Sequence, residues 1–190
     1  MKSRKPFKTI SSRIAWSCPW YQIRQDEFIA PDGSHGVYNI VEKEPAVWIV
    51  PVTVNLELVI INHFRYTVND WVLEVPAGSV KAGQTIEEAA REELLEEIGG
   101  AVGELKYISQ FYTSDGICNE IGHIFLATEV TLGETNQEPA EVIEIQQRPI
   151  QEVLTMAKTG KIGDGPSALA ILLCSNHLEK ILSRYRQNIR

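Results

Sequence analysis

The chain reads as a series of short apolar segments whose spacing changes along its length, and each spacing predicts an element. Residues 21–41 read as two short strands joined at Pro31-Asp32-Gly33, a turn tripeptide in which glycine tolerates positive φ. This is a candidate N-terminal hairpin. Residues 47–54 and 58–64 are rich in Val and Ile, with a polar break at Asn55, and fit a pair of core strands. Residues 71–75 form another strand, stopped by Pro76. In residues 85–98 the period changes: Ile86, Ala90, Leu94 and Ile98 make one helical stripe, and Gly99-Gly100 supply a C-terminal stop. Residues 105–112 and 121–130 read as strands around a polar loop. A further strand, residues 142–146, follows the acidic, proline-containing segment 133–141, and residues 168–185 carry a closing helical pattern. Strands alternating with helices, without an internal repeat, predict a mixed α/β (α+β) sandwich. Its main domain is expected over residues 46–190, with residues 1–45 as a small N-terminal β-hairpin segment.

Composition narrows the partners. With 190 residues, 44% of them hydrophobic, the chain can bury one sizeable core. A net charge of −7 repels polyanions, so neither a non-specific nucleic-acid surface nor an anionic membrane surface is expected. A small phosphate-bearing substrate would need metal ions to offset the local repulsion. Cys18, Cys118 and Cys174 are far apart and lack a zinc or redox spacing, which suits free thiols in a reducing cytosol. The basic start MKSRKPFKTI has no apolar run behind it, and no stretch of about 20 apolar residues appears. Neither a signal peptide nor a membrane span is supported, and a cytoplasmic location is expected.

The polar side of the helix at residues 85–98 holds Glu93, Glu96 and Glu97, clustered on adjacent turns. Two readings of that cluster stand side by side. One is a solvated acidic face. The other is a hard-cation site, because carboxylate oxygens suit Mg²⁺, which keeps several waters and bridges to substrate phosphate.

The full string AGSVKAGQTIEEAAREELLEEIGG, from Ala77 to Gly100, resembles the Nudix box, and Gly78, Glu93, Leu94, Glu96, Glu97 and Gly99 stand at matching positions. Two positions depart from it. Gln84 replaces a Glu and Glu92 replaces an Arg, a pair generally thought to brace the loop against the helix. The resemblance continues upstream in HFRYTVNDWVLEVPAG and downstream in FYTSDGICNEIGHIFLA, and is similar to the ADP-ribose pyrophosphatase branch.

What the resemblance implies is specific. It implies a Nudix-type α/β/α sandwich and Mg²⁺, with Mn²⁺ as a substitute, held by Glu93, Glu97 and Glu96 with the Ala77 carbonyl. Glu96 would also serve catalysis. Arg65 is expected near substrate phosphate, where its planar fork suits paired oxygens. Glu120 is expected to face the substrate, and Glu74 either to contact the substrate or to support a residue that does. The general base is placed at Glu141, with Glu138 as the fallback, on a loop that closes over substrate. Trp20 and Tyr38 match aromatics that clamp the base in some family members. The implied reaction splits the diphosphate of a nucleoside diphosphate sugar, ADP-ribose first, with GDP-mannose, another ADP-sugar, or a non-catalytic nucleotide-sugar sensor as alternatives. A homodimer is expected through the N-terminal hairpin. His35, His63, His123 and His177 stand in no metal spacing and are given no role.

Overall fold

The computed structural model describes residues 5–137 and 140–188. They fall into two compact units, residues 1–45 with 112–121, and residues 46–111 with 122–190.

The N-terminal unit is a three-stranded antiparallel sheet of β1 (Lys8–Ser17), β2 (Gln22–Ile29) and β3 (His35–Glu42), in that order. β2 and β3 are the expected hairpin. Gly33 takes φ 85 at its turn, and Asp32 Oδ1 accepts from the Ser34 N–H at 3.0 Å. β1 was not anticipated, and the reason is visible: its register slips between Thr9 and Ser11 and again between Ile14 and Trp16. Each bulge breaks the period-two alternation that marks a strand in sequence. The segment 112–121 ties onto β3, where Val41 N–H donates to Ile117 O and Asn119 N–H to Val41 O.

The larger unit is built on a seven-stranded mixed sheet. Its strands are β4 (Ala46–Thr53), β5 (Glu57–Arg65), β6 (Asp70–Glu74), β7 (Ala77–Ser79), β8 (Glu104–Tyr112), β9 (Ile121–Val130) and β10 (Ile143–Pro149). The main path runs β10-β5-β4-β9-β8, with β6 on β5 and β7 on β4. β4 pairs parallel with β9, and its near-continuous apolar run AVWIVPVT fits a strand covered on both faces. Helix α1 (Ile86–Ile98) closes one face through Ala90, Leu94 and Ile98, packed on Val47, Ile49 and Phe125. Helices α2 (Ile150–Lys158) and α3 (Gly165–Asn188) close the other, over Val50, Val52, Leu58 and Leu126. This is the expected α/β/α sandwich. α2 carries no start signal in the sequence, since it follows directly on Pro149 with no capping side chain, although Ile150, Val153, Leu154 and Ala157 form a buried helical stripe. Among the described residues no helix is long and apolar enough to cross a membrane.

Candidate active site

The carboxylates of α1 are positioned by how the helix begins and ends. At its start, Thr85 Oγ1 accepts from the Glu88 N–H at 3.2 Å while the Glu88 carboxylate accepts from the Thr85 N–H at 2.8 Å. This reciprocal cap satisfies two donors that a helix start otherwise leaves without partners. At its end, Gly99 takes φ 63 and a Cβ there would lie 2.4 Å from the Gly133 carbonyl oxygen, so conformation and packing both require glycine. A helix held at both ends fixes the direction of Glu93, Glu96 and Glu97.

Glu97 is only 2% exposed, and its Oε2 accepts from the Ala77 N–H of β7 at 3.1 Å. Glu93 lies against the next residue of that strand: a Cβ on Gly78 would sit 1.9 Å from Glu93 Oε1. The missing side chain is the space the carboxylate occupies. Burial, then the charges of Glu96 and Glu141, pushes the Glu93 pKa from its ordinary 4.5 up to about 7. Burial, then Glu93 and Glu141, holds Glu97 well above the ordinary range, against the opposing pull of Ala77 N–H and Arg65.

Glu141 is therefore within electrostatic reach of both helix carboxylates. It stands just ahead of β10, whose start is anchored where the Phe64 N–H donates to Val142 O at 3.0 Å. The loop before it is tied to the end of α1, as Asn136 N–H donates to Glu96 O and Gln137 Nε2 donates to Glu97 O, both at 2.9 Å. These bonds give terminal helix carbonyls their partners. Glu138 lies outside the described residues.

Arg65, at the end of β5, forms a two-pronged pair with Glu74 of β6, at 2.8 Å from Nε and 2.5 Å from the terminal nitrogen. Glu74 is buried, whereas 43% of the Arg65 side chain remains exposed. Glu74 first, and the charges of Glu97 and Asp164 after it, raise the Arg65 pKa and keep it cationic. His63, two residues earlier, is buried with Nδ1 lacking a hydrogen-bond partner; burial first and Arg65 second lower its pKa.

Asp164 and Ser167 were missed in the sequence. Asp164 Oδ2 accepts from the Ser167 N–H at 2.8 Å and from its hydroxyl at 2.6 Å, capping α3, while Ser167 Oγ accepts from the Val75 N–H at 3.0 Å. The signal was present: Asp164-Gly165-Pro166-Ser167 is a capping carboxylate with proline in the first turn.

The cluster suits a hard divalent cation. Its donors are all oxygen, the notch at Gly78 admits a carboxylate that a side chain would exclude, and the surplus negative charge is what a cation relieves. Among the described residues no three His, Cys, Asp or Glu side chains are placed closely enough to hold an ion as they stand, so the fit rests on the chemistry of the donors. Glu96 Oε1 lies 3.8 Å from Lys81 Nζ, a loose ion pair at the rim of the cluster.

Trp20, Tyr38 and Glu120 belong to the N-terminal unit. Trp20 is 77% exposed and makes no ring contact among the described residues. Tyr38 donates its hydroxyl to Gly116 O at 2.6 Å and has Phe28 as ring neighbour at 6.5 Å. Glu120 is buried, with Oε1 2.5 Å from Lys43 Nζ in an ion pair not aligned as a hydrogen bond.

Residues 42–168 match the family model of the NUDIX domain. The chain belongs to that family. The ADP-ribose pyrophosphatase of Bacillus subtilis (strain 168) is 30% identical over 166 residues, covering 86% of this chain and 90% of the relative. The GDP-mannose pyrophosphatase of Escherichia coli (strain K12 / DH10B) is 32% identical over 137 residues, covering 64% and 68%. A crystal structure of an ADP compounds hydrolase matches with a TM-score of 0.81 over 95% of this chain and 98% of the other. At 18% identity that likeness speaks to the fold alone.

The two departures from the Nudix box are bonded to each other. Gln84 Nε2 donates to Glu92 Oε2, Lys81 Nζ donates to Glu92 Oε1 at 2.8 Å, and Gln84 Oε1 accepts from the Lys81 N–H at 3.0 Å. The loop is still braced against the helix, with the cation moved to Lys81 and the anion onto α1. Lys81 first, then Gln84, lowers the Glu92 pKa.

Proposed function

We propose that this Nudix protein is a Mg²⁺-dependent pyrophosphohydrolase that splits the diphosphate of a nucleoside diphosphate sugar. ADP-ribose, giving AMP and ribose 5-phosphate, is the first candidate substrate. The observation carrying this reading is that Glu93, seated in the notch at Gly78, and the buried Glu97 each lie within electrostatic reach of the other and of Glu141, with the half-exposed Arg65 within reach of Glu97. The names borne by the relatives from B. subtilis and E. coli support the reaction class.

Glu93, Glu96 and Glu97, with the Ala77 carbonyl, would hold the Mg²⁺. When bound, the metal would offset the diphosphate charge and make a water more acidic. Glu141 takes the proton from the attacking water as its oxygen bonds to phosphorus. The phosphorus–oxygen bond of the linkage breaks, and that oxygen departs with the second phosphate. Arg65 donates to phosphoryl oxygens as charge grows on them, a role its half-exposed guanidinium can take while Glu74 fixes its plane. Glu120 contacts the substrate, and Trp20 and Tyr38 stack on the base, in the same reading. The protein acts as a cytoplasmic homodimer, its N-terminal unit contributing to dimerisation, with Glu138 as the fallback base.

GDP-mannose is the second substrate reading, favoured by the E. coli relative's name. A sensor without activity is disfavoured, because the Lys81–Glu92–Gln84 brace restores what the two departures remove. The test is phosphate-coupled turnover of ADP-ribose, ADP-glucose and GDP-mannose, with Mg²⁺ and with chelator. Cleavage that chelator abolishes is expected; a folded protein that cleaves none of them overturns the hydrolase reading.

A further inference from the structure

The large cavity of the main unit, about 860 Å³, has none of the carboxylates described above in its lining. It lies on the α3 side of the sheet, where the β4–β5 turn, β8, β9 and the last turns of α3 meet. Its size falls in the range of small-molecule sites.

Its lining divides by chemistry. Val52, Leu56, Leu126 and Ile181 supply an apolar wall. Lys106, Lys180 and Arg184 supply three cations, and among the described residues none of their side chains makes an ion pair or hydrogen bond. His177, Lys180, Ile181 and Arg184 are spaced so that one stripe of α3 faces the cavity. Lys180 and Arg184, four apart, repel one another on that stripe. Lys106, reaching from β8, and Lys180 both lie close enough to His177 to lower its pKa, after burial. The cations thus converge from two elements. Glu104 and Glu129 also line the cavity, so its charge is three against two in a chain whose net charge is −7.

A second observation points to the same place. Three described non-glycine residues have left-handed backbone: Leu56 at φ 64, Asn69 at 54 and Glu129 at 56. Two of them, Leu56 and Glu129, line this cavity. Leu56 sits at the end of the tight β4–β5 turn, its N–H donating to Thr53 O, where glycine or asparagine would be free of strain. A leucine there places an apolar side chain in the cavity wall at a cost to the backbone, a pattern that clusters at ligand sites.

We propose that this cavity is a second binding site, separate from the carboxylate cluster, for a small organic anion. The ligand's apolar body lies along Leu56, Leu126 and Ile181, and its acid group, carboxylate, sulfonate or phosphate, meets Lys106, Lys180 and Arg184. The proposal does not depend on the hydrolase reading.

The probe is anilinonaphthalene sulfonate, an apolar ring system with one acid group whose fluorescence rises on binding. Full-length protein is titrated alone, with ADP-ribose and chelator present, and as the pair Lys180→Glu with Arg184→Glu. Both side chains are exposed, so the fold should survive, which circular dichroism checks. A charge-matched control carries Lys158→Glu with Lys161→Glu. Saturable binding is expected, insensitive to ADP-ribose, weakened about ten-fold or more in the cavity pair and less than about two-fold in the control. Affinity should also fall as salt is raised. No saturable binding, equal binding by the cavity pair, or displacement by ADP-ribose would each overturn the proposal. Leu56→Gly separates packing from charge: weaker dye binding with the cations intact supports the apolar wall, and unchanged binding removes Leu56 from it.

Discussion

Replacing Glu93 by glutamine should make the metal-free protein more stable, and the gain should depend on pH in a defined direction. The glutamine is nearly isosteric and fits the same notch at Gly78, so packing is preserved. What it removes is a charge the folded chain resists, since the carboxyl pKa rises from 4.5 to about 7 on folding. A carboxyl with a raised folded pKa binds more protons folded than unfolded, so stability falls as pH climbs from about 4.5 towards 7 and stays low above that. Integrated to about pH 8, the penalty is at most ~3 kcal/mol, and partial solvent screening brings the expectation to ~1.5–3 kcal/mol. At about pH 5 most of the folded-state carboxyl is already protonated, and the penalty shrinks below ~1 kcal/mol. For a chain of this length the difference at the higher pH is a rise in Tm of roughly 3–10 °C. The assay is thermal unfolding in chelator at both pH values, followed by Mg²⁺ addition. Mg²⁺ should stabilise the parent chain more than the variant, because a ligand stabilises only the state that binds it. A variant no more stable than the parent in chelator near pH 8, or a gain as large near pH 5, would refute the electrostatic account of the site.

Three further outcomes follow from the geometry. Glu141→Gln should lower kcat by about 10²–10⁴-fold while KM changes little, as loss of a general base does, and an unchanged kcat in steady-state kinetics would move the base to Glu138 or Glu120. Lys81→Met leaves Glu92 without its cation and should raise the Mg²⁺ concentration for half-maximal activity several-fold; adding Gln84→Glu and Glu92→Arg should restore it, and failure to do so would show that the brace is not what Lys81 provides. Ser167→Ala strips the buried Val75 N–H of its acceptor and should cost ~1–3 kcal/mol in denaturant unfolding, whereas a loss under ~0.5 kcal/mol would mean that the bond adds little.

Much of the main unit was legible in sequence because its signals are local and strong. The helical stripe of α1, its glycine stop and the Val-rich strands each need only neighbouring residues to be read. The same holds for Glu93 and Glu97, whose spacing follows from helix geometry once the helix is recognised. β1 escaped because two bulges disrupt its alternation, and α2 because it is short and starts without a capping side chain.

Other properties of the site belong to the tertiary structure. No local pattern states that Gly78 must lack a side chain to admit Glu93, or that Glu97 is buried against Ala77, 20 positions away in the chain. Nor does it state that Lys81 takes over the cation of a brace whose usual partners are both replaced. The sequence alone determined the fold class, the carboxylate helix and the family resemblance, because residue type and spacing along the chain carry them. Only the folded chain decided which carboxylates share a desolvated space, how far their proton affinities rise and where unpaired cations gather around an apolar wall, because desolvation and Coulomb interaction depend on distance through space.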